Sequence, residues 1–212
     1  MDEEIRQIEL ANWPRRAQFE FFRGFQQPHV GLCAEVDCTR VLEELKPQGV
    51  APFHALVWCL AAAANAVPEL RQRLRGEGVV EHARVHPSVT VPTAEGGFAF
   101  CPLAFDPEWA RFEAACRPAF ARAAAQQELQ DAAGDGWVYL SCLPWVSFSA
   151  MLNPVRGPDD CVPRITWGRF RAQGGRWTVP VNVQVHHALV DGRHLGRFYE
   201  VLAARLVDVG TT

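Results

Sequence analysis

The sequence predicts an α+β fold of two layers, a mostly antiparallel or mixed sheet covered by helices. Three observations lead there. Short runs rich in Val, Ile and Phe recur between clusters of Gly, Pro, Asn and Asp, the pattern of strands joined by turns. Longer stretches at 52–67, 107–130 and 192–206 are Ala-rich or carry apolar residues at helical spacing. Glycine pairs at 96–97 and 174–175 each separate two strand-like runs and mark hairpins, which make antiparallel neighbours. A sheet with an apolar face and helices with an apolar stripe bury both by stacking in two layers.

Taken in order, Asn12 and Pro14 are placed to cap and open a helix through NWPRRAQFEFFR, which Gly24 and Pro28 then end. Residues 29–37 read as a strand and 39–45 as a short helix closed by Pro47 and Gly49. The helix at 52–67 is apolar nearly all round and is expected to be buried. Residues 71–77 read as a charged turn, 79–91 as one or two strands, and 98–103 as the strand returning from the first glycine pair. In the helix at 107–130, Trp109, Phe112, Ala115, Cys116 and Phe120 fall at helical spacing, and Pro118 is expected to bend or split it. After a break at 134–136, residues 137–149 read as a strand interrupted at Pro144, and 153–163 as a loop. Strands at 165–171 and 177–186 flank the second glycine pair, and 192–206 is the last helix. With no linker or repeat, and domains averaging about 150 residues, residues 1–212 are expected to be a single domain.

Composition narrows the function. A net charge of −3 argues against a chain-wide basic surface, and so against nucleic acid as a partner. No run approaches the roughly 20 apolar residues of a membrane span; the nearest, 51–67, contains His54 and Asn65 and stops at Pro68. The opening MDEEIRQIE is acidic and polar, unlike a signal peptide. The seven cysteines are odd in number, partly in apolar settings and without CxxC, which points to free thiols in a reducing cytoplasm. No Cys/His cluster has metal-ligand spacing, so no metal is expected.

The segment richest in chemistry is VNVQVHHALVDGRHLGRF. A strand ending near 186 delivers two adjacent histidines, of which only one can face a given site because neighbours on a strand point to opposite faces. A histidine at a strand end is a good general base, since its pKa lies near neutrality. Asp191 follows His187 by four residues and can cap the last helix or meet a cation.

HHALVDG, residues 186–192, resembles the HHxxxDG signature of coenzyme A-dependent acyltransferases, and the chain is similar along nearly its whole length to the chloramphenicol acetyltransferases. NWPRRAQFEFFR resembles the start of that family, SCLPW (141–145) its S-x-x-P-W segment, and ITWGRF (165–170) its strand with a structural threonine. The resemblance implies the fold of that family, an acetyl-CoA-dependent O-acetyltransferase activity with acetyl-CoA as co-substrate, and direct transfer to a small-molecule hydroxyl. It implies His187 as the base and Ser141 as the oxyanion donor. Thr166 would hold an ordered water, and Asp191 would pair with Arg15, with Arg16 as the adjacent alternative. His186 would be structural, and Gly192 would permit the turn into the helix. Trp145, Arg169 and Phe170 would lie along the coenzyme A channel, with Phe170 in place of the usual tyrosine, and Phe21 and Phe22 would face the acceptor.

The resemblance further implies a homotrimer with active sites between subunits. The acceptor segments RGFQQPHVGLC and TVPTAEGGFAFCPL and the loop at 153–163 depart from the family pattern. The alternatives are therefore a different acceptor, alcohol or amine, a longer acyl-CoA, and a non-catalytic small-molecule-binding trimer; a dihydrolipoyl acyltransferase lacks support because no lipoyl domain or linker precedes the motif.

Overall fold

Seven strands make the main sheet of the computed structural model, which describes residues 4–210; residues 1–3 of the acidic N-terminus and 211–212 lie outside it. In chain order the elements are β1 (Ile5–Ile8), α1 (Arg16–Phe22), β2 (His29–Asp37), α2 (Pro52–Asn65), β3 (Gln72–Arg75), β4 (Gly78–His82), β5 (His86–Pro92) and β6 (Phe98–Pro102), followed by α3 (Trp109–Ala124), β7 (Trp137–Cys142), β8 (Arg164–Trp167), β9 (Arg171–Gln173), β10 (Arg176–His186) and α4 (Gly192–Asp208). The main sheet runs β2-β10-β8-β7-β5-β6, with β9 paired to β10, and β1-β4-β3 form a second, smaller sheet. The main sheet is mixed: β7 runs parallel to both β5 and β8, and every other pairing is antiparallel. This is the α+β, helix-covered mixed sheet expected from the sequence.

Alternation along the strands sorts the sheet into an apolar and a polar face. Val181, Val183 and Val185 of β10, Ile165 and Trp167 of β8, Val138 and Leu140 of β7, and Val89 and Val91 of β5 join the helices in one continuous hydrophobic core. α2 packs against α3, α4, β5 and β7, which explains why it is buried on every side. The intervening residues point the other way. Asn182, Thr166 and Ser141 share one rung across β10, β8 and β7, and Gln184, Arg164, Tyr139 and Ser88 share the next. The segment after β7 straps over this polar face: Met151 and Asn153 donate backbone N–H groups to Asn182 and Gln184, and His186 bonds to the carbonyl of Pro158.

Several local expectations give way. Asn12 ends a short 3₁₀ turn rather than capping α1, whose N-cap position is Arg15, and Pro14 stays outside the helix. Residues 72–75 are a strand, not only a charged turn, because they pair with β4 in a hairpin, and β1 adds to the other side of β4. The helix α3 continues through Pro118, which sits on its exposed side, where the carbonyl left without a partner meets solvent. β7 stops at Cys142, and 143–149 belongs to the strap. β8 stops at Trp167 because Gly168 lies against the strap: an added Cβ would come within 2.7 Å of the Val146 carbonyl oxygen. All seven cysteines are free, and among the described residues no helix is long and apolar enough to cross a membrane.

Candidate active site

His187 is the first residue beyond β10, at the turn that leads into α4. Its backbone N–H donates to Pro28 at 2.8 Å, and its Nδ1 lies 3.0 Å from the carbonyl oxygen of Val190. A carbonyl only accepts, so Nδ1 is the donor there, and in the neutral ring Nε2 is the nitrogen left with a lone pair. Phe22 stacks on the imidazole with ring centroids 4.0 Å apart and 20° between planes, and Phe21 and Phe25 pack edge-on against Phe22 and tilted against each other. Phe22 of α1 thus holds the ring, while Phe21 stays exposed.

Arg15, buried to 7% exposure, donates to the Asp191 carboxylate and, through Nη2, to the His187 carbonyl at 3.3 Å. Arg16 instead pairs with Glu20 on the surface. Asp191 is the N-cap of α4: its Oδ1 accepts from the Arg193 N–H, and its own N–H donates to His194 Nδ1, both at 3.1 Å. Burial works to raise the Asp191 carboxyl; His194 and the Arg15 guanidinium outweigh it and hold the group below the usual carboxylate range. Gly192 has no positive φ, and an added Cβ would meet nothing within 4 Å, so the turn itself does not demand glycine within this chain. His186 faces the polar side of the sheet, with Nδ1 accepting from Ala188 and Nε2 directed at Pro158, and burial pushes its pKa down to about 4.

Ser141 lies elsewhere. It opens onto a cavity of 540 Å³ between the polar sheet face and the strap. Thr90 donates to Ser141 Oγ at 3.4 Å, which leaves the serine proton free to point into the cavity. Thr166 shares the Ser141 rung but is fully buried, and its hydroxyl is already engaged, donating to Asn153 Oδ1 at 3.1 Å. The group that reaches the cavity at this point is therefore Asn153, which a loop reading of 153–163 does not single out. The chain around Trp145 lies beside the chain around Arg169, whereas Phe170 packs against the hydrophobic core. The Arg169 N–H donates to Val146 and the Leu143 N–H to Trp167, so strap and β8 end run side by side, with the exposed indole at the cavity rim.

One separation organises all of this. Asn182 pairs with Thr166 and Thr166 with Ser141, so Ser141 stands on the Asn182 rung, five residues before His187. At strand rise that is about 16 Å along the sheet, before adding the lateral spacing of two strands. Within one chain His187 and Ser141 cannot touch the same reacting carbon.

Comparison with known proteins follows the same line. A family model for chloramphenicol acetyltransferase matches residues 4–203. A chloramphenicol acetyltransferase of Streptomyces acrimycini is 32% identical over 95% of this chain and 94% of its own length. Chloramphenicol acetyltransferase 3 of Escherichia coli is 28% identical over 90% and 92%. A solved chloramphenicol acetyltransferase superposes with a TM-score of 0.87 at 25% identity, covering 96% of this chain and 100% of that one. A dihydrolipoamide acetyltransferase of Azotobacter vinelandii, 18% identical, shares the fold at a TM-score of 0.66 over 92% and 87%.

Proposed function

The chain belongs to the chloramphenicol acetyltransferase family, and on that basis we propose that it moves the acetyl group of acetyl-CoA directly onto a hydroxyl of a small molecule, with chloramphenicol the first acceptor to test. Residues 1–212 then act as one acyltransferase domain. Three copies close a ring in which His187 of one subunit meets the Ser141 cavity of the next, a reading supported by the distance between them in a single chain.

The observation that carries the reading is the His187 Nδ1 contact with the Val190 carbonyl oxygen at 3.0 Å. With Nδ1–H spent on Val190 and the ring clamped by Phe22, Nε2 is a fixed proton acceptor. Acetyl-CoA, when bound, supplies the thioester carbon. His187 Nε2 takes the acceptor's hydroxyl proton as the oxygen attacks that carbon. Ser141 Oγ–H donates to the carbonyl oxygen as it becomes an oxyanion. The oxyanion then re-forms the carbonyl, the C–S bond breaks, and the thiolate recovers the proton from His187, leaving the enzyme as it began. Arg15 and Asp191 touch no substrate in this scheme; they fix the turn that aims the imidazole.

The test is thiol release from acetyl-CoA with chloramphenicol, native protein against His187→Ala. The expected result is turnover by the native protein and a fall of about 10²–10⁴ in kcat for the variant. No release by the native protein, with acetyl-CoA still bound, removes chloramphenicol as acceptor. Undiminished release by His187→Ala removes the histidine as base.

A further inference from the structure

The Val190–Asp191 peptide unit is gripped by an imidazole at each end. Its carbonyl oxygen lies 3.0 Å from His187 Nδ1, and its N–H donates to His194 Nδ1 at 3.1 Å. The atoms of a peptide unit lie in one plane, so fixing the direction of the N–H also fixes the direction of the carbonyl. One rigid plate thus holds the proposed base on one side and a second histidine on the other. The two bonds reinforce each other as well, because an amide that donates at its N–H is a better acceptor at its oxygen.

His194 stands in the first turn of α4, three residues after the Asp191 cap, and is buried to 8% exposure. A neutral imidazole that accepts at Nδ1 carries its proton on Nε2. His194 Nε2 lies 3.6 Å from Glu69 Oε1, in the turn Pro68–Arg71 that follows α2. That is long for a hydrogen bond, but a carboxylate favours a proton on the nitrogen that faces it. Burial is the largest influence on the ring and lowers its pKa; Arg15 and Arg193 work in the same direction, and Glu69 and Asp191 against it. The balance keeps the group below its ordinary value, so the ring is uncharged at neutral pH and Nδ1 is open to the Asp191 N–H.

The same Nδ1 also lies 3.2 Å from Asp191 Oδ1. A protonated ring would donate to that carboxylate and leave the Asp191 N–H without its acceptor. Only the neutral ring, with its lone pair on Nδ1, holds the peptide.

We propose that His194 is a positioning residue for acetyl transfer: by accepting the Asp191 N–H it sets the peptide whose carbonyl holds His187 Nδ1–H, and so keeps His187 Nε2 free for the substrate proton. This rests on the proposed role of His187 as base. It is separate from the Arg15 contacts, which grip the Asp191 side chain and the His187 carbonyl.

The experiment compares the native protein with His194→Leu, which removes the acceptor, and with His194→Gln. The glutamine side-chain oxygen accepts the same N–H in a capping box but takes up no proton in the working pH range. Thiol release from acetyl-CoA with chloramphenicol at neutral pH gives kcat and both KM values. Nitrogen NMR of protein labelled in histidine reports which His187 nitrogen carries the proton. His194→Leu is expected to lose about five- to tenfold in kcat, the size of one neutral hydrogen bond, with both KM values unchanged. Its His187 should no longer keep the proton on Nδ1 alone, and His194→Gln should recover both properties. An unchanged kcat or an unchanged His187 spectrum in His194→Leu overturns the proposal. So do equal losses in the two variants, which would make His194 a packing residue. If the native protein releases no thiol, the transfer reading with this acceptor fails, and the His187 spectrum alone decides the role of His194. If His194→Leu does not fold, acid removes the acceptor from the native protein instead. The His187 Nδ1 and Asp191 amide resonances are then expected to move at the midpoint of the His194 ring, and a His187 resonance that ignores that midpoint overturns the proposal.

Discussion

His186 and His187 are chemically identical neighbours, and their surroundings divide their work. His186 is the last residue of β10 and faces inward, 1% exposed, where burial favours the neutral ring and brings its pKa down to about 4. Its Nε2–H holds the strap at Pro158, and His29 does the same at Asp160, with Nε2 2.6 Å from that carbonyl oxygen. A histidine whose folded pKa lies below the unfolded value of about 6.5 contributes stability that is complete above that value. The contribution is lost as pH falls, because the unfolded chain takes up a proton that the folded chain refuses until about pH 4. Urea midpoints measured from pH 7.5 down to 4 are therefore expected to fall steeply below pH 6.5 in the native protein. His186→Gln, uncharged throughout, should be less stable at pH 7 and show a shallower fall. Parallel curves for the two proteins would show that His186 does not titrate in this window.

At the scale of elements, the strap from 143 to 163 is the part that turns a sheet into a site. It roofs the cavity, carries Trp145 and Asn153, and is pressed against β8 at Gly168. A methyl there would meet the Val146 oxygen at 2.7 Å, Pro180 Cγ at 2.8 Å and Phe148 Cε1 at 3.1 Å, two of them atoms of the strap. Gly168→Ala is thus expected to cost about 1–3 kcal/mol of stability. It should also raise the KM for acetyl-CoA more than that for the acceptor, because Arg169 is tied to the displaced carbonyl. Unchanged stability and KM would mean the strap is free to shift. Elements with strong local signals were legible in the sequence: α2, the 96–97 and 174–175 hairpins, and α4 with its Asp191 cap all stand where periodicity and turn residues put them. The strap was not. SCLPWVSFS has the composition of a strand, and only the tertiary pairing of β8 with β7 and β10 decides that the ladder ends at Cys142. The alternation Val-Asn-Val-Gln-Val-His was visible as well, but such a pattern ordinarily means a solvated polar face, whereas here the strap buries it. Asn153 was illegible for that reason: among prolines and aspartates it reads as a turn former, and its contacts with Thr166 and Gln184 are long-range.

At the scale of the whole molecule, the proposed function makes each chain carry two half-sites rather than one. The Phe21, Phe22 and Phe25 cluster meets His187 through Phe22, with Phe21 and Phe25 exposed. Trp145, Leu152, Val155 and Phe98 are exposed in the segments that form the Ser141 cavity and its strap. Exposed apolar surface of this kind is what the proposed contact between copies would cover. The two surfaces are different patches of the same chain, so their union is heterologous, and a heterologous contact closes only as a ring. Subunit mixing tests the arrangement without a crystal. His187→Ala and Ser141→Ala each remove one half of every proposed site, and each is expected to be nearly inactive alone. When equal amounts are co-refolded, a site regains both residues wherever its histidine side comes from the serine variant and its serine side from the histidine variant. Random assembly makes that about one site in four, so about a quarter of native activity should return. A site contained within one subunit would regain nothing, since each chain would still lack one residue. Activity that returns on co-refolding, and not when the two variants are combined after folding, would place the reacting carbon between copies of the chain. It would also explain why the base and the oxyanion donor sit so far apart on one sheet.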